Sequence, residues 1–271
     1  MRKLSLAALT VLELTPPEMI DCAQQAGYDC VGLRLIPATP NEPAYDFKGD
    51  TPIRRECLAR LKQSDVKVED IEILRITEHV DIQAFEAIFE TAKLLGARSA
   101  LVAADDKNET RLIDNLGLLA ELSAQYDILP HVEFMPWLST ATLKDAVTLV
   151  NKVNQSNLSV LVDSIHFHRS HSNTADWSSY RGTMPRYIQL CDVPTKEVKN
   201  MDEIITQARS QRKAPGEGYI TNLADIISML PTETAISLEI PEKDRANEPA
   251  LTRAKRLHHI ATTWLAEHHL G

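Results

Sequence analysis

The chain has few cysteines, no excess of positive charge and no long apolar run, and each shortage excludes something. Cys22, Cys30, Cys57 and Cys191 are scattered, and no two form a CxxC pair. That suits buried thiols in a reducing cytosol better than a disulfide framework. A net charge of −9 and an isoelectric point of about 5.5 leave no basic footprint for nucleic acid. The same balance disfavours an anionic membrane surface. It does not exclude an anionic substrate, because a few local arginines outweigh distant surface charge. No stretch approaches the roughly 20 apolar residues that cross a bilayer. The apolar run after Met1-Arg2-Lys3 is short and Glu13 interrupts it, so it reads as a first strand rather than a secretion signal. No GxGxxG follows that strand, so a dinucleotide fold has no direct support. Repeats and low-complexity linkers are also missing. Residues 1–271 therefore read as a single domain, and the expected location is cytoplasmic.

What is present is alternation. Short β-type runs at Leu4–Leu9, Cys30–Leu35, Val66–Ile76, Ser99–Ala103, Leu129–Phe134, Ser159–Asp163, Tyr187–Cys191 and Ala235–Ile240 are separated by amphipathic stretches. Helices are expected over Glu18–Ala26, Ile53–Gln63, Ile82–Leu95, Glu109–Gln125, Leu143–Val153, Met201–Ala208, Leu223–Met229 and Ala250–His268. In Ile82–Leu95 the apolar residues recur on one face of a 3.6-residue period. Pro16 and Pro17 open the first helix and Gly27 closes it, the usual asymmetry of helix ends. A polar, irregular stretch runs from Asp163 to Thr183. Strand–helix alternation implies a parallel sheet with right-handed crossovers. Eight strands suggest closure into a (β/α)₈ TIM barrel, with a doubly wound open sheet as the alternative.

In such a barrel the working residues lie at the C-terminal ends of the strands. Four consecutive runs end on an oxygen-bearing side chain: Glu133, Asp163, Gln189 and Glu239. Asp192 follows shortly after Gln189. Three converging carboxylates repel one another, and a divalent cation relieves that repulsion. An all-oxygen set favours a hard ion, Mg²⁺ or Mn²⁺, with Co²⁺ or Zn²⁺ as further options. Arg34 and His79, which close strands two and three, are candidate substrate contacts. Trp137 is either an apolar pocket wall or a loop-packing residue. His166, His168 and His171 do not read as a second metal site. Gly216-Glu217-Gly218 reads as a tight turn rather than a phosphate loop.

These fragments together resemble the xylose isomerase-like TIM-barrel superfamily, over essentially the whole chain. The resemblance rests on His131-Val132-Glu133-Phe134, Asp163-Ser164-Ile165-His166, Gln189-Leu190-Cys191-Asp192, Arg212-Lys213-Ala214-Pro215-Gly216-Glu217-Gly218 and Ser237-Leu238-Glu239. It implies metal ligation by Glu133, Asp163 and Glu239, with Gln189 where sugar epimerases often carry histidine. Glutamine there is similar to the 3-dehydroshikimate dehydratases. The resemblance also implies that His166 handles substrate or protons, that Arg212 contacts substrate oxygens, and that Glu133 and Glu239 are the acid/base pair.

The expected activity is a metal-dependent isomerase or epimerase of a keto sugar or related polyol. The runner-up is a dehydratase of a cyclic polyhydroxy ketone such as 3-dehydroshikimate or an inosose. A phosphodiester-cleaving enzyme is disfavoured by the net charge, and a non-catalytic ligand-binding barrel by the paired carboxylates. The expected partner is a small polyhydroxy carbonyl compound, not nucleic acid or membrane, and homo-oligomerisation stays open.

Overall fold

The computed structural model describes residues 2–271, and the strands run parallel throughout. They are β1 (Leu4–Leu6), β2 (Cys30–Arg34), β3 (Lys67–Ile76), β4 (Ser99–Ala104), β5 (Leu129–Glu133), β6 (Ser159–Leu161), β7 (Tyr187–Leu190) and β8 (Ala235–Leu238). Each pairs with its neighbours in chain order, and β1 also pairs with β8. The last seam, between β6 and β7, is closed by one parallel bridge, Asp163 with Gln189. There the Gln189 N–H donates to the Val162 carbonyl at 3.0 Å. The result is a TIM barrel, nearly closed by the ladders and completed by that bridge.

The helices are α1 (Pro16–Ala26), α2 (Pro52–Lys62), α3 (Glu86–Leu94), α4 (Glu109–Ala124), α5 (Leu143–Val153), α6 (Ser164–Arg169), α7 (Met201–Ser210), α8 (Leu223–Ser228) and α9 (Ala250–Glu267). Local sequence explains their ends. Thr15 with Glu18, and Thr142 with Asp145, form reciprocal capping boxes at α1 and α5. Gly27 ends α1 at φ 90°, a left-handed position that glycine occupies without steric cost.

Alternate strand residues face opposite ways. One set packs with the helices in the main core, including Val31, Leu33, Val68 and Ile188. The other fills the lumen, where Ile73, Leu101, Ala103, Met135, Leu161, Tyr187 and Ala235 form a separate small cluster. Gly32 also leaves room there, because a Cβ on it would stand 2.8 Å from Asp70 Oδ1.

Three expectations need adjusting. The first strand ends at Leu6, and Ala8–Val11 is a 3₁₀ turn. Thr10 holds that turn against β8, donating through Oγ1 to the Leu238 carbonyl at 2.7 Å and accepting from the Ile240 N–H at 2.8 Å. The helix expected over Ile82–Leu95 starts as a 3₁₀ turn, Ile82–Phe85. The irregular stretch after β6 contains α6 and a third 3₁₀ turn, Thr174–Ser179.

Candidate metal centre

The C-terminal ends of the strands open onto a cavity of about 500 Å³. Glu133 ends β5, Asp163 follows β6, and Gln189 and Glu239 come from β7 and the end of β8; all four are buried. Asp163 also caps α6, accepting from the Ile165 N–H at 3.1 Å. That cap fixes the direction of the first turn of α6 and so places His166 over the site. The His166 Nε2 lies 3.6 Å from Glu133 Oε1 and 3.6 Å from Asp163 Oδ2. Glu133, Asp163 and His166 are the one trio of acidic, cysteine or histidine residues, among the described residues, whose ligand atoms lie within 4.8 Å of one another.

Arg212 lies between two of the expected ligands. Its guanidinium contacts Asp163 Oδ2 and Glu239 Oε2, each at 2.7 Å, and its Nε donates to the Ala208 carbonyl at 2.7 Å. Burial pushes the Glu133 carboxyl well above the usual range, and Asp163 and Glu239 push it further. Burial also raises Glu239, but the Arg212 guanidinium opposes that rise. The two carboxylates therefore sit in different surroundings: Arg212 contacts Glu239 and not Glu133. Burial, reinforced by the charge of Arg212, holds His166 neutral. Its Nδ1 is buried with no partner. Trp137 packs edge-on against the imidazole, with centroids 5.0 Å apart, and lines the cavity.

These residues fit a divalent cation. Once ionised, three carboxylates against one guanidinium leave two negative charges, which one such ion balances. Gln189 supports the fit independently, because its Oε1 and Nε2 are both buried and unpartnered. A buried amide left unpaired is costly, and a hard cation beside Oε1 removes part of that cost. Glu133, Asp163, Gln189 and Glu239 are the residues that would hold it, with His166 within reach of the same place.

The other expected contacts are placed differently. Arg34 lines the cavity but is occupied, contacting Glu72 Oε2 at 2.6 Å and Glu42 Oε2 at 3.2 Å. His79 stands outside: β3 ends at Ile76, and the imidazole is 87% exposed, 3.2 Å from Glu78. His168 is half-buried and His171 exposed, and neither joins the trio. Asp192 is structural, accepting from the N–H groups of Val193, Gly216, Gly218 and Ile220 at 2.8–3.2 Å. Gly216-Glu217-Gly218 is accordingly a tight turn.

Sequence reasoning missed Asp70, Glu72, Arg75 and Arg209. Asp70 is buried in the lumen, where burial and then Glu72 and Glu69 hold its carboxyl well above the ordinary value. Arg75 carried a usable signal, since it is the last polar residue before β3 ends. Arg209 carried none, because it belongs to α7 rather than to a strand.

A family model described as a xylose isomerase-like TIM barrel matches residues 20–260. The inosose isomerase of Bacillus subtilis (strain 168) is 30% identical over 103 residues. That match takes in 34% of this chain and spans only 37% of the relative's length. The crystal structure of the IOLI protein with a binding zinc atom superposes with a TM-score of 0.73 at 18% identity, over 97% of this chain and 99% of that one. The probable 3-DHS dehydratase AsbF of Bacillus anthracis, involved in petrobactin synthesis, gives 0.72 at 18% identity, over 95% and 99%. At such identities the two structures establish the shared fold alone.

Proposed function

This chain belongs to the xylose isomerase-like TIM-barrel family, and from that premise we propose that it is a divalent-metal-dependent isomerase or epimerase of a keto sugar or related polyol. The observation that carries the proposal is the buried pair Glu133 and Glu239 lining one cavity, placed in different surroundings because Arg212 contacts only Glu239. Environments that push two titratable groups apart divide the roles of acid and base. A divalent ion, when bound, supplies Lewis-acid polarisation of a substrate carbonyl. The zinc named for the IOLI structure supports a divalent ion in general, without choosing one.

The chain's own residues then have distinct tasks. One carboxylate takes the proton from the carbon next to the carbonyl. The other returns a proton to the opposite face, giving epimerisation, or to the neighbouring carbon, giving isomerisation. Neutral His166 lines the cavity and is suited to hydrogen-bond a substrate hydroxyl through Nε2, the nitrogen turned towards Glu133 and Asp163. Arg212 holds Asp163 and Glu239 in place, and Trp137 helps exclude water from the imidazole.

Gln189 favours a second reading, dehydration of a cyclic polyhydroxy ketone. In that reaction the same base removes the proton, and the returned proton leaves with the β-hydroxyl as water. One experiment separates the two. Metal-loaded protein is incubated in D₂O with ketoses, inososes and 3-dehydroshikimate, and products are read by NMR. Deuterium on carbon in an isomerised product supports the first reading. An unsaturated product supports the second. Turnover with direct hydrogen transfer between carbons and no solvent label would sink both.

A further inference from the structure

We propose that Arg75 and Arg209 form an oxyanion subsite in the same cavity, so that the substrate carries a carboxylate or phosphate group. The inference rests on the proposed reaction and narrows its substrate class. Four arginines line the cavity: Arg34, Arg75, Arg209 and Arg212. Two are occupied by buried carboxylates, Arg34 by Glu72 and Arg212 by Asp163 and Glu239. Glu42 is occupied as well, by Arg34 and by the Ala38 N–H at 2.8 Å.

Arg75 and Arg209 are different. Among the described residues, neither guanidinium has a carboxylate oxygen within 4.0 Å. Arg75 makes one hydrogen bond, donating from Nη2 to the neutral Ala38 carbonyl at 3.2 Å. It is also half-buried at the end of β3. Arg209 comes from the last turn of α7, is exposed and lines the same cavity. Burial disfavours the charge on Arg75, the nearby charges of Arg209 and Arg34 disfavour it further, and Glu133 and Asp105 oppose them only in part. Two arginines without a carboxylate partner thus line one cavity, Arg75 half-buried and Arg209 exposed, in a chain with net charge −9. An oxyanion between them removes the repulsion, and the planar donor fork of arginine suits carboxylate and phosphate oxygens alike. Glu133 and Glu239 line the same 500 Å³ cavity. A small polyhydroxy compound anchored by its anionic end would therefore present its carbonyl end to the carboxylate pair.

The test titrates inorganic phosphate, and separately acetate, into the full chain, without added metal and then with Mg²⁺. Arg75→Gln and Arg209→Gln are compared with wild type and with Lys255→Gln, which removes a charge from the exposed face of α9. Thermal melts confirm that each variant is folded. The expected result is about tenfold or greater weakening in each arginine variant, the size of a lost charge-assisted hydrogen bond, with Lys255→Gln unchanged. Tighter phosphate binding would assign a phosphoryl group, and tighter acetate binding a carboxylate. Unaltered anion affinity in both arginine variants, or an equal loss in Lys255→Gln, overturns the subsite. The parent reading is judged separately, by Mn²⁺ affinity and solvent-deuterium incorporation.

Discussion

At the scale of single residues, two side chains allow direct tests. Asp163 is both a candidate ligand and the N-cap of α6. Asparagine caps a helix about as well as aspartate. Asp163→Asn should therefore keep the fold while weakening Mn²⁺ binding about 10- to 100-fold, as read by isothermal titration. Unchanged affinity would remove Asp163 from the ligand set. His131 tests burial instead. Its Nδ1–H donates to the Leu129 carbonyl at 2.8 Å, and its Nε2 accepts from the Arg186 N–H at 3.1 Å. Burial pushes this imidazole down to about 3. The unfolded chain takes up a proton below about pH 6.5, while the native state stays neutral. Stability is therefore lost as the pH falls from 6.5 towards 3, by about 1.4 kcal/mol per unit. Between pH 6.5 and pH 5, wild type should lose about 2 kcal/mol more than His131→Gln in urea unfolding. Parallel pH profiles would refute the assignment.

At the scale of elements, the connection after β7 matters most because it carries Arg212. A single carboxylate, Asp192, gathers four backbone N–H groups around the turn at 215–220. Gly218 must lack a side chain, since a Cβ there would meet the Val193 carbonyl oxygen at 2.3 Å. Asp192→Ala strands those buried donors and should cost on the order of 3 kcal/mol, measured as a shift in the urea midpoint. It should also lower turnover, because Arg212 is held from this segment. Full activity in a destabilised Asp192→Ala protein would mean that Arg212 is positioned by its carboxylate partners alone.

At the scale of the whole molecule, the β6–β7 seam is the one joined by a single bridge, and both bridge residues belong to the proposed ligand set. Metal binding by this set would therefore be coupled to barrel closure. Mn²⁺ at about 100 times its Kd should stabilise the native state by about 2.7 kcal/mol, which corresponds to roughly 5–10 °C in Tm for a chain of this size. Hydrogen exchange should slow at the Gln189 amide, which bonds across that seam, more than at amides between β3 and β4. Uniform slowing across the barrel would indicate global stabilisation without a special role for the seam.

The sequence by itself determined the eight parallel strands, because hydrophobic periodicity and helix-end chemistry are local properties. It also pointed to Glu133, Asp163, Gln189 and Glu239, because a barrel turns the ends of neighbouring strands towards one place. Charge inside strands was harder to read. Glu69, Asp70 and Glu72 break the apolar pattern of β3, and only the lumen around Gly32 explains how Asp70 is accommodated. The extent of β3 decided between Arg75, which lines the cavity, and His79, which faces solvent. Tertiary structure alone decided which arginines are occupied. Arg34 meets Glu72, Arg212 meets Asp163 and Glu239, and Arg75 and Arg209 line the cavity without a carboxylate partner. Those relations join residues far apart in the chain, and the charge left uncompensated depends on distances that linear spacing does not specify.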